Sequence, residues 1–283
     1  MLNKNEIYEM DAIEFLKQID DKIVDLILCD LPYGLTENKW DSIIPLDRLW
    51  EQYNRIIKDE GVIVLTASQP FTSRLVMSNI DMFKHEWIWI KNRGSNFANT
   101  VREPFKEHES ILVFANNTWK YNPQMQERTG AGLDRVKYDL NWKSKSKNYR
   151  DFESRLGQKR PDLRVPSSWQ KFNVDNGLHP TQKPLALFEY LIKTYTNEGD
   201  LVVDNCVGSG TTAIACQRNN RIFMCCDNNP EYVKISNQLL TQKTVSGFNP
   251  LNEESLISVK RESADSPNSP HDSLKAKKEA NFS

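Results

Sequence analysis

No stretch of this 283-residue chain approaches the roughly 18 consecutive apolar residues that a membrane-spanning helix needs. Its first residues, Met1-Leu2-Asn3-Lys4-Asn5-Glu6, hold no apolar signal core, so a cytoplasmic protein is expected. Four scattered histidines offer no ligand spacing, and no metal is expected. The cysteines number five, with no Cys-x-x-Cys pair. Cys29, Cys206, Cys225 and Cys226 lie in or beside apolar runs and read as buried reduced thiols rather than zinc ligands or disulfides. Charge of either sign is also lacking in sum, since the formal net charge is −1. That sum hides where the charges lie.

What is present is an ordinary globular composition, 39% hydrophobic and 10% aromatic, on a chain long enough for one main domain with an insertion. Apolar strand-like runs at 7–10, 24–29, 61–66, 87–91 and 110–115 alternate with helical spacing at 12–18, 46–58 and 71–80. The alternation resumes with strands at 201–203 and 222–226 and helices at 211–218 and 230–240, the last opened by Asn229 and Pro230. This is the pattern of a parallel sheet covered by helices.

Residues 116–178 differ, being polar and broken by Pro and Gly, with thirteen Lys or Arg against seven Asp or Glu. Eight aromatics are spread among them, with Trp142 and Tyr149 interleaved with Lys143, Lys145, Lys147 and Arg150. Basic residues interleaved with aromatics are a footprint of nucleic-acid contact. The same composition also suits a surface insert whose aromatics form a small core. From about Thr241 the chain turns to Ser, Asn, Lys and Glu, and disorder is expected there.

Two constellations carry chemistry. Asp30-Leu31-Pro32-Tyr33 follows the apolar run 24–29 and places a carboxylate, a rigid turn and a ring at the mouth of a sheet, the parts needed to hold a flat amine-bearing ring. In the second, Val202-Val203-Asp204 leads through Asn205-Cys206-Val207 into Gly208-Ser209-Gly210 and the helix start Thr211-Thr212. Such a turn lets backbone approach a ligand and points free amides at it, though tight strand-to-helix turns also need Gly for steric reasons. Asp227 ends the next strand, where an acid can bond the two hydroxyls of a ribose. No Lys follows the glycines as it would in a triphosphate loop, which favours an adenosine-type ligand.

These residues resemble the S-adenosylmethionine-dependent DNA amino-methyltransferases acting on adenine N6 or cytosine N4. Asp30-Leu31-Pro32-Tyr33 is similar to that family's catalytic tetrapeptide, Asp204 to Thr212 to its cofactor loop, and His179-Pro180-Thr181-Gln182-Lys183-Pro184 to the segment preceding the helix that leads into the cofactor strand. The resemblance spans roughly residues 5–240, and its order, tetrapeptide first and cofactor loop last, is that of the circularly permuted beta class. It implies a Rossmann-like α/β fold with a mostly parallel seven-stranded sheet, helices on both faces and a small target-recognition insert. Residues 1–115 would form the catalytic half, 116–178 the insert, 179–240 the cofactor half and 241–283 the tail.

The resemblance further implies S-adenosylmethionine as cofactor and double-stranded DNA as substrate, with a homodimer and a cognate restriction endonuclease as further partners. Asp11, Lys183, Asp204, Gly208, Ser209, Gly210, Thr211, Thr212 and Asp227 would serve the cofactor. Asp30, Leu31, Pro32 and Tyr33 would be catalytic: Asp30 and the Leu31 carbonyl accept the amine's two hydrogens while Tyr33 stacks on a flipped base. Two positions depart from the family pattern: Leu31 replaces the usual proline, and Asn205-Cys206 replaces Pro-Phe. Lys183 either reaches the cofactor carboxylate or caps a helix. Ser68 and Gln69 either line the site or cap a helix, and 92–99 reads as a mobile loop. Adenine N6 is favoured because the tetrapeptide begins with Asp. The rivals are cytosine N4, an RNA or glutamine acceptor, and an inactive DNA-binding relative.

Overall fold

A strand in the middle of a sheet covered on both faces must bury every side chain, and all six residues of Val24–Cys29 are buried. The computed structural model describes residues 2–34, 42–130, 162–175 and 182–242. The described strands are β1 (Glu6–Glu9), β2 (Val24–Cys29), β3 (Ile57–Ala67), β4 (Phe83–Ile90), β5 (His108–Ala115), β6 (Gln126–Glu127), β7 (Leu163–Arg164), β8 (Trp169–Lys171), β9 (Leu201–Asp204) and β10 (Ile222–Asp227). The helices are α1 (Ala12–Lys17), α2 (Leu46–Ile56), α3 (Phe71–Ser78), α4 (Leu185–Tyr195), α5 (Thr211–Arg218) and α6 (Pro230–Gln242).

One sheet runs in the order β1-β10-β9-β2-β3-β5-β4-β8. Only β5 is antiparallel to its neighbours, β3 and β4. The last strands of the chain, β9 and β10, thus lie between β1 and β2, so the permuted order leaves a continuous parallel core. Side chains alternate between two apolar layers, as strand geometry requires. Leu26, Leu28, Val62, Val64, Val202 and Phe223 face the layer holding α4, α5 and α6. Ile27, Cys29, Ile63, Leu65, Val203 and Met224 face the layer holding α1, α2 and α3. A one-residue slip would exchange the two sets. Each buried aliphatic is worth about 1.5–3 kcal/mol, and the register is fixed accordingly.

The sheet has eight strands where seven are expected. The extra one comes from the insert: β8 pairs in parallel with β4 through Ile88↔Trp169, Trp89↔Gln170 and Ile90↔Lys171. Trp119, Phe172 and Val174 pack against the main core, so these residues do not form a small core of their own. A second difference lies at the α2–β3 junction, where a helix over 46–58 is expected but Ile57 is already extended, with ψ 135°. Its pairing with Val24 ends the helix at Ile56. No described helix is long and apolar enough to cross a membrane. Of the tail expected to be disordered from Thr241, Thr241 and Gln242 instead complete α6, and the rest lies outside the described residues.

Because β1, β10, β9, β2 and β3 run in parallel, their carboxyl ends lie along one edge of the sheet. Asp11, Asp227, Asp204, Asp30 and Thr66 stand at or just past those ends.

Candidate active site

A cleft of about 580 Å³ opens at this edge, and Asp11, Asp30, Asp204, Gly208, Thr211 and Asp227 are among its lining residues. This is where open parallel sheets hold ligands. Pro32, Tyr33, Lys183, Ser209 and Thr212 line it as well.

At the cofactor end the acids are largely engaged by backbone. Asp11 caps α1, its Oδ1 accepting from the amides of Ile13 and Glu14 at 2.9 and 3.1 Å. Asp227 accepts from Gly208 N at 2.9 Å through Oδ2 and from Asn229 N at 2.9 Å through Oδ1, which ties the glycine turn to β10. Asp204 is buried and accepts from Cys206 N at 3.0 Å and from the Thr212 hydroxyl. Its burial pushes the carboxyl up to about 7, against the opposing hydrogen bonds of Thr212 and Cys206. Asp204 and Thr212 therefore stitch the turn to α5.

The two glycines differ in their reasons. Gly208 has φ +54°, and a Cβ there would meet nothing within 4 Å. Its open side is a cradle that lets a ligand lie against backbone. Gly210 has φ +90°, and a Cβ there would lie 2.7 Å from the Ser236 Cβ, so this glycine is required by the close approach of α6. The first intrahelical bond of α5 runs from Ile214 N to Gly210 O. The preceding amides, at Thr211 and Thr212 among others, have no acceptor within the helix. The acids at this cleft fit the hydroxyls and positive charge of an adenosyl cofactor, and the helix N-terminus fits a carboxylate on it.

The Asn205-Cys206 departure has a structural account. The Tyr53 hydroxyl of α2 donates to Asn205 Oδ1 at 2.6 Å in the interior, fixing the turn from below. Leaving that acceptor unpaired would cost about 1–3 kcal/mol. Tyr53 gave no signal in the sequence beyond helical periodicity. The cysteines are all free, and Cys206 is the one not fully buried.

At the other end of the cleft, the Asp30 carboxylate is held entirely by side chains. Its Oδ1 accepts from the Tyr33 hydroxyl at 2.8 Å and from the Thr66 hydroxyl. Its Oδ2 takes the Lys183 ammonium at 2.6 Å. Lys183 is 6% exposed and also lies 3.5 Å from Glu109 Oε2. Burial alone would lower the Lys183 pKa, but the carboxylates of Asp30 and Glu109 outweigh it and hold the group above the ordinary lysine value. The Tyr33 phenol is pushed well up by burial and by the charges of Asp30 and Glu109, so it remains a donor. Its ring stacks on Phe71, with centroids 5.4 Å apart and planes at 26°. The Leu31 side chain is buried in the core, which leaves only its backbone for chemistry.

Of the two readings of Lys183, the helix cap is not observed, since Pro184 is the N-cap of α4 and makes no side-chain cap bond. The ammonium reaches Asp30, across 153 positions of sequence, because that carboxylate is the nearest anion to a buried lysine. Thr66 and Phe71, the partners of Asp30 and Tyr33, and Glu109, the partner of Lys91 and Lys183, gave no signal of these contacts in the sequence. The Glu107-His108-Glu109 step was visible, but nothing in the sequence says what it faces. Ser68 is buried, and its hydroxyl has no partner among the described residues. Gln69 accepts from Ser73 Oγ at 2.9 Å, in the first turn of α3. In the 92–99 loop, Asn92 Oδ1 accepts from Val174 N at 2.8 Å. His179, Lys143, Lys145, Lys147 and Arg150 lie outside the described residues.

Comparison with known proteins agrees with this geometry. A family profile described as DNA methylase (N6/N4 methyltransferase) matches residues 24–238. The Type II methyltransferase M1.MboII of Moraxella bovis is 30% identical over 266 residues, covering 87% of this chain and 100% of its own. The M1.HpyAVI–SAM complex superposes with TM-score 0.56 at 24% identity, over 82% of this chain and 98% of the other. The PvuII DNA methyltransferase (cytosine-N4-specific) does so with TM-score 0.60 at 18% identity, over 90% of each chain. Given the profile match across most of its length and a relative aligned from end to end, the chain belongs to the family of S-adenosylmethionine-dependent DNA methyltransferases that modify adenine N6 or cytosine N4.

Proposed function

We propose that this DNA methyltransferase acts on the exocyclic N6 amine of adenine in double-stranded DNA. The observation that carries the reading is Asp30, a carboxylate fixed by side chains at the cleft edge. Cytosine-N4 relatives more often place Ser at this position.

The adenine amine is conjugated into its ring and is a poor nucleophile. Asp30 and the Leu31 carbonyl would accept its two hydrogens, draw the nitrogen toward tetrahedral geometry and aim its lone pair into the cleft. When bound, S-adenosylmethionine supplies an electrophilic methyl group on a sulfonium. Holding the amine in near-attack geometry can supply several kcal/mol of the barrier. The carboxylate also stabilises positive charge as it develops on nitrogen. Tyr33, backed by Phe71, offers a ledge on which an extruded base can stack, an interaction worth about 1–3 kcal/mol. Lys143, Lys145, Lys147 and Arg150 belong to the proposal as phosphate contacts, each neutralised phosphate adding about 0.9 to the salt slope of binding. A cognate restriction endonuclease and a second copy of the chain belong to it on the strength of the resemblance alone.

DNA amplified in vitro, and so free of modification, is incubated with the protein and cofactor, digested to nucleosides and examined by mass spectrometry. N6-methyladenine is the expected product. N4-methylcytosine without N6-methyladenine would overturn the adenine assignment and leave the family unchanged.

A further inference from the structure

Of the roughly four acceptor sites of the Asp30 carboxylate, three are taken, two on Oδ1 by the hydroxyls of Thr66 and Tyr33 and one on Oδ2 by Lys183. An incoming amine hydrogen therefore meets Oδ2 beside an ammonium whose charge offsets the carboxylate's. Tyr33 has an alternative, since its hydroxyl also lies 2.9 Å from Thr66 Oγ1. Lys183 is the strong competitor, because a buried ammonium is released from a carboxylate only when another anion takes it.

Such an anion is in place. Glu109 Oε1 is bound by Lys91, while Glu109 Oε2 is buried and has no hydrogen-bond partner among the described residues. That orphaned oxygen is 3.5 Å from Lys183 Nζ. Shortening the gap by less than about 1 Å would reach the 2.7–2.9 Å typical of an ammonium–carboxylate bond. Resting on the proposed amine chemistry at Asp30, we propose that Lys183 is a two-position ammonium, paired with Asp30 in the free enzyme and displaced onto Glu109 Oε2 when the target amine enters.

Glu109 and Lys183 are then positioning residues. Lys183 stays beside a carboxylate in both states, with Glu109 shared with Lys91, and the charge uncovered by the exchange is that of Asp30. The arrangement accounts for an otherwise costly unsatisfied oxygen. It also keeps Asp30 ordered before the base arrives and frees its charge where positive charge develops on nitrogen.

The test is a double-variant cycle, with tritiated S-adenosylmethionine and genomic DNA amplified in vitro as probes. Wild-type protein is assayed first; no tritium in its DNA would sink the methyltransferase reading itself. Glu109→Gln offers Lys183 a neutral amide and strands it on Asp30. The expected result is a kcat at least about tenfold lower, one decade of rate, with KM for the cofactor little changed. Adding Lys183→Met to Glu109→Gln removes the competitor and raises kcat above that of Glu109→Gln alone. A double variant as slow as, or slower than, Glu109→Gln overturns the proposal, and so does a kcat that recovers only in step with the urea midpoint, since a merely structural pair restores both together. Glu109→Asp supplies a second reading. It keeps the charge and the Lys91 pairing, and should be faster than Glu109→Gln; equal rates would also overturn the exchange.

Discussion

The two ends of one cleft are built by different means. At the cofactor end, the side chains of Asp11, Asp204 and Asp227 bond mainly to nearby backbone amides, so the local chain path largely makes the site. At the amine end, Asp30, Thr66, Glu109 and Lys183 come from four distant segments and hold one another by side-chain bonds. Damage to the first should weaken fold and cofactor binding together. Damage to the second should reach the rate alone.

The largest expected effect lies at the amine end. Asp30→Ala should lower methyl transfer by about 10²–10³-fold or more, the range seen when one fixed electrostatic partner of a transition state is lost. Cofactor affinity by calorimetry should stay near wild type. Retained activity would remove Asp30 from the mechanism, and lost cofactor binding would erase the distinction between the two ends.

A middle effect is expected from Gly210→Ala. Its Cβ would press on Ser236 at 2.7 Å in a backbone at φ +90°. Overpacking of this kind costs about 1–3 kcal/mol, and the left-handed conformation adds about 1–2 kcal/mol. Urea midpoint and cofactor affinity should fall together. Combining it with Ser236→Gly should recover the contact share only. If affinity falls with no change in midpoint, the glycine serves the ligand rather than the fold.

The smallest effect is a pH slope. Asp204 has its carboxyl raised from 3.8 to about 7 by burial, so the folded state prefers it protonated. Its contribution to stability is complete below the unfolded value and is lost as pH rises through the folded one. Asp204→Asn cannot titrate, and its urea midpoint should decline less than the wild type's between about pH 4 and pH 8. Parallel slopes would show that the buried carboxyl is ionised throughout.

Legibility in the sequence follows the same division. The glycine turn, Asp204 and Asp227 could be read directly, because a strand, a tight turn and a helix start are local and each needs particular residues. The Asp30 tetrapeptide was equally visible. Its partners were not: Lys183 is 153 positions away and Thr66 is 36, and no periodicity encodes which charges meet across a sheet edge. β8 was missed because three residues carry too little alternation to read as a strand, and pairing with β4 defines it.

The sequence by itself determined the alternation of strands and helices, the two chemical segments and their permuted order, since each depends on neighbours within a few turns of chain. Tertiary structure alone decided that the last strands fall between the first two, that Gly210 answers to Ser236, and that Lys183 is shared by Asp30 and Glu109. Parallel packing aligns strand ends regardless of their order in the chain. At the edge so formed, a buried ammonium must settle between whichever carboxylates the fold has placed within reach.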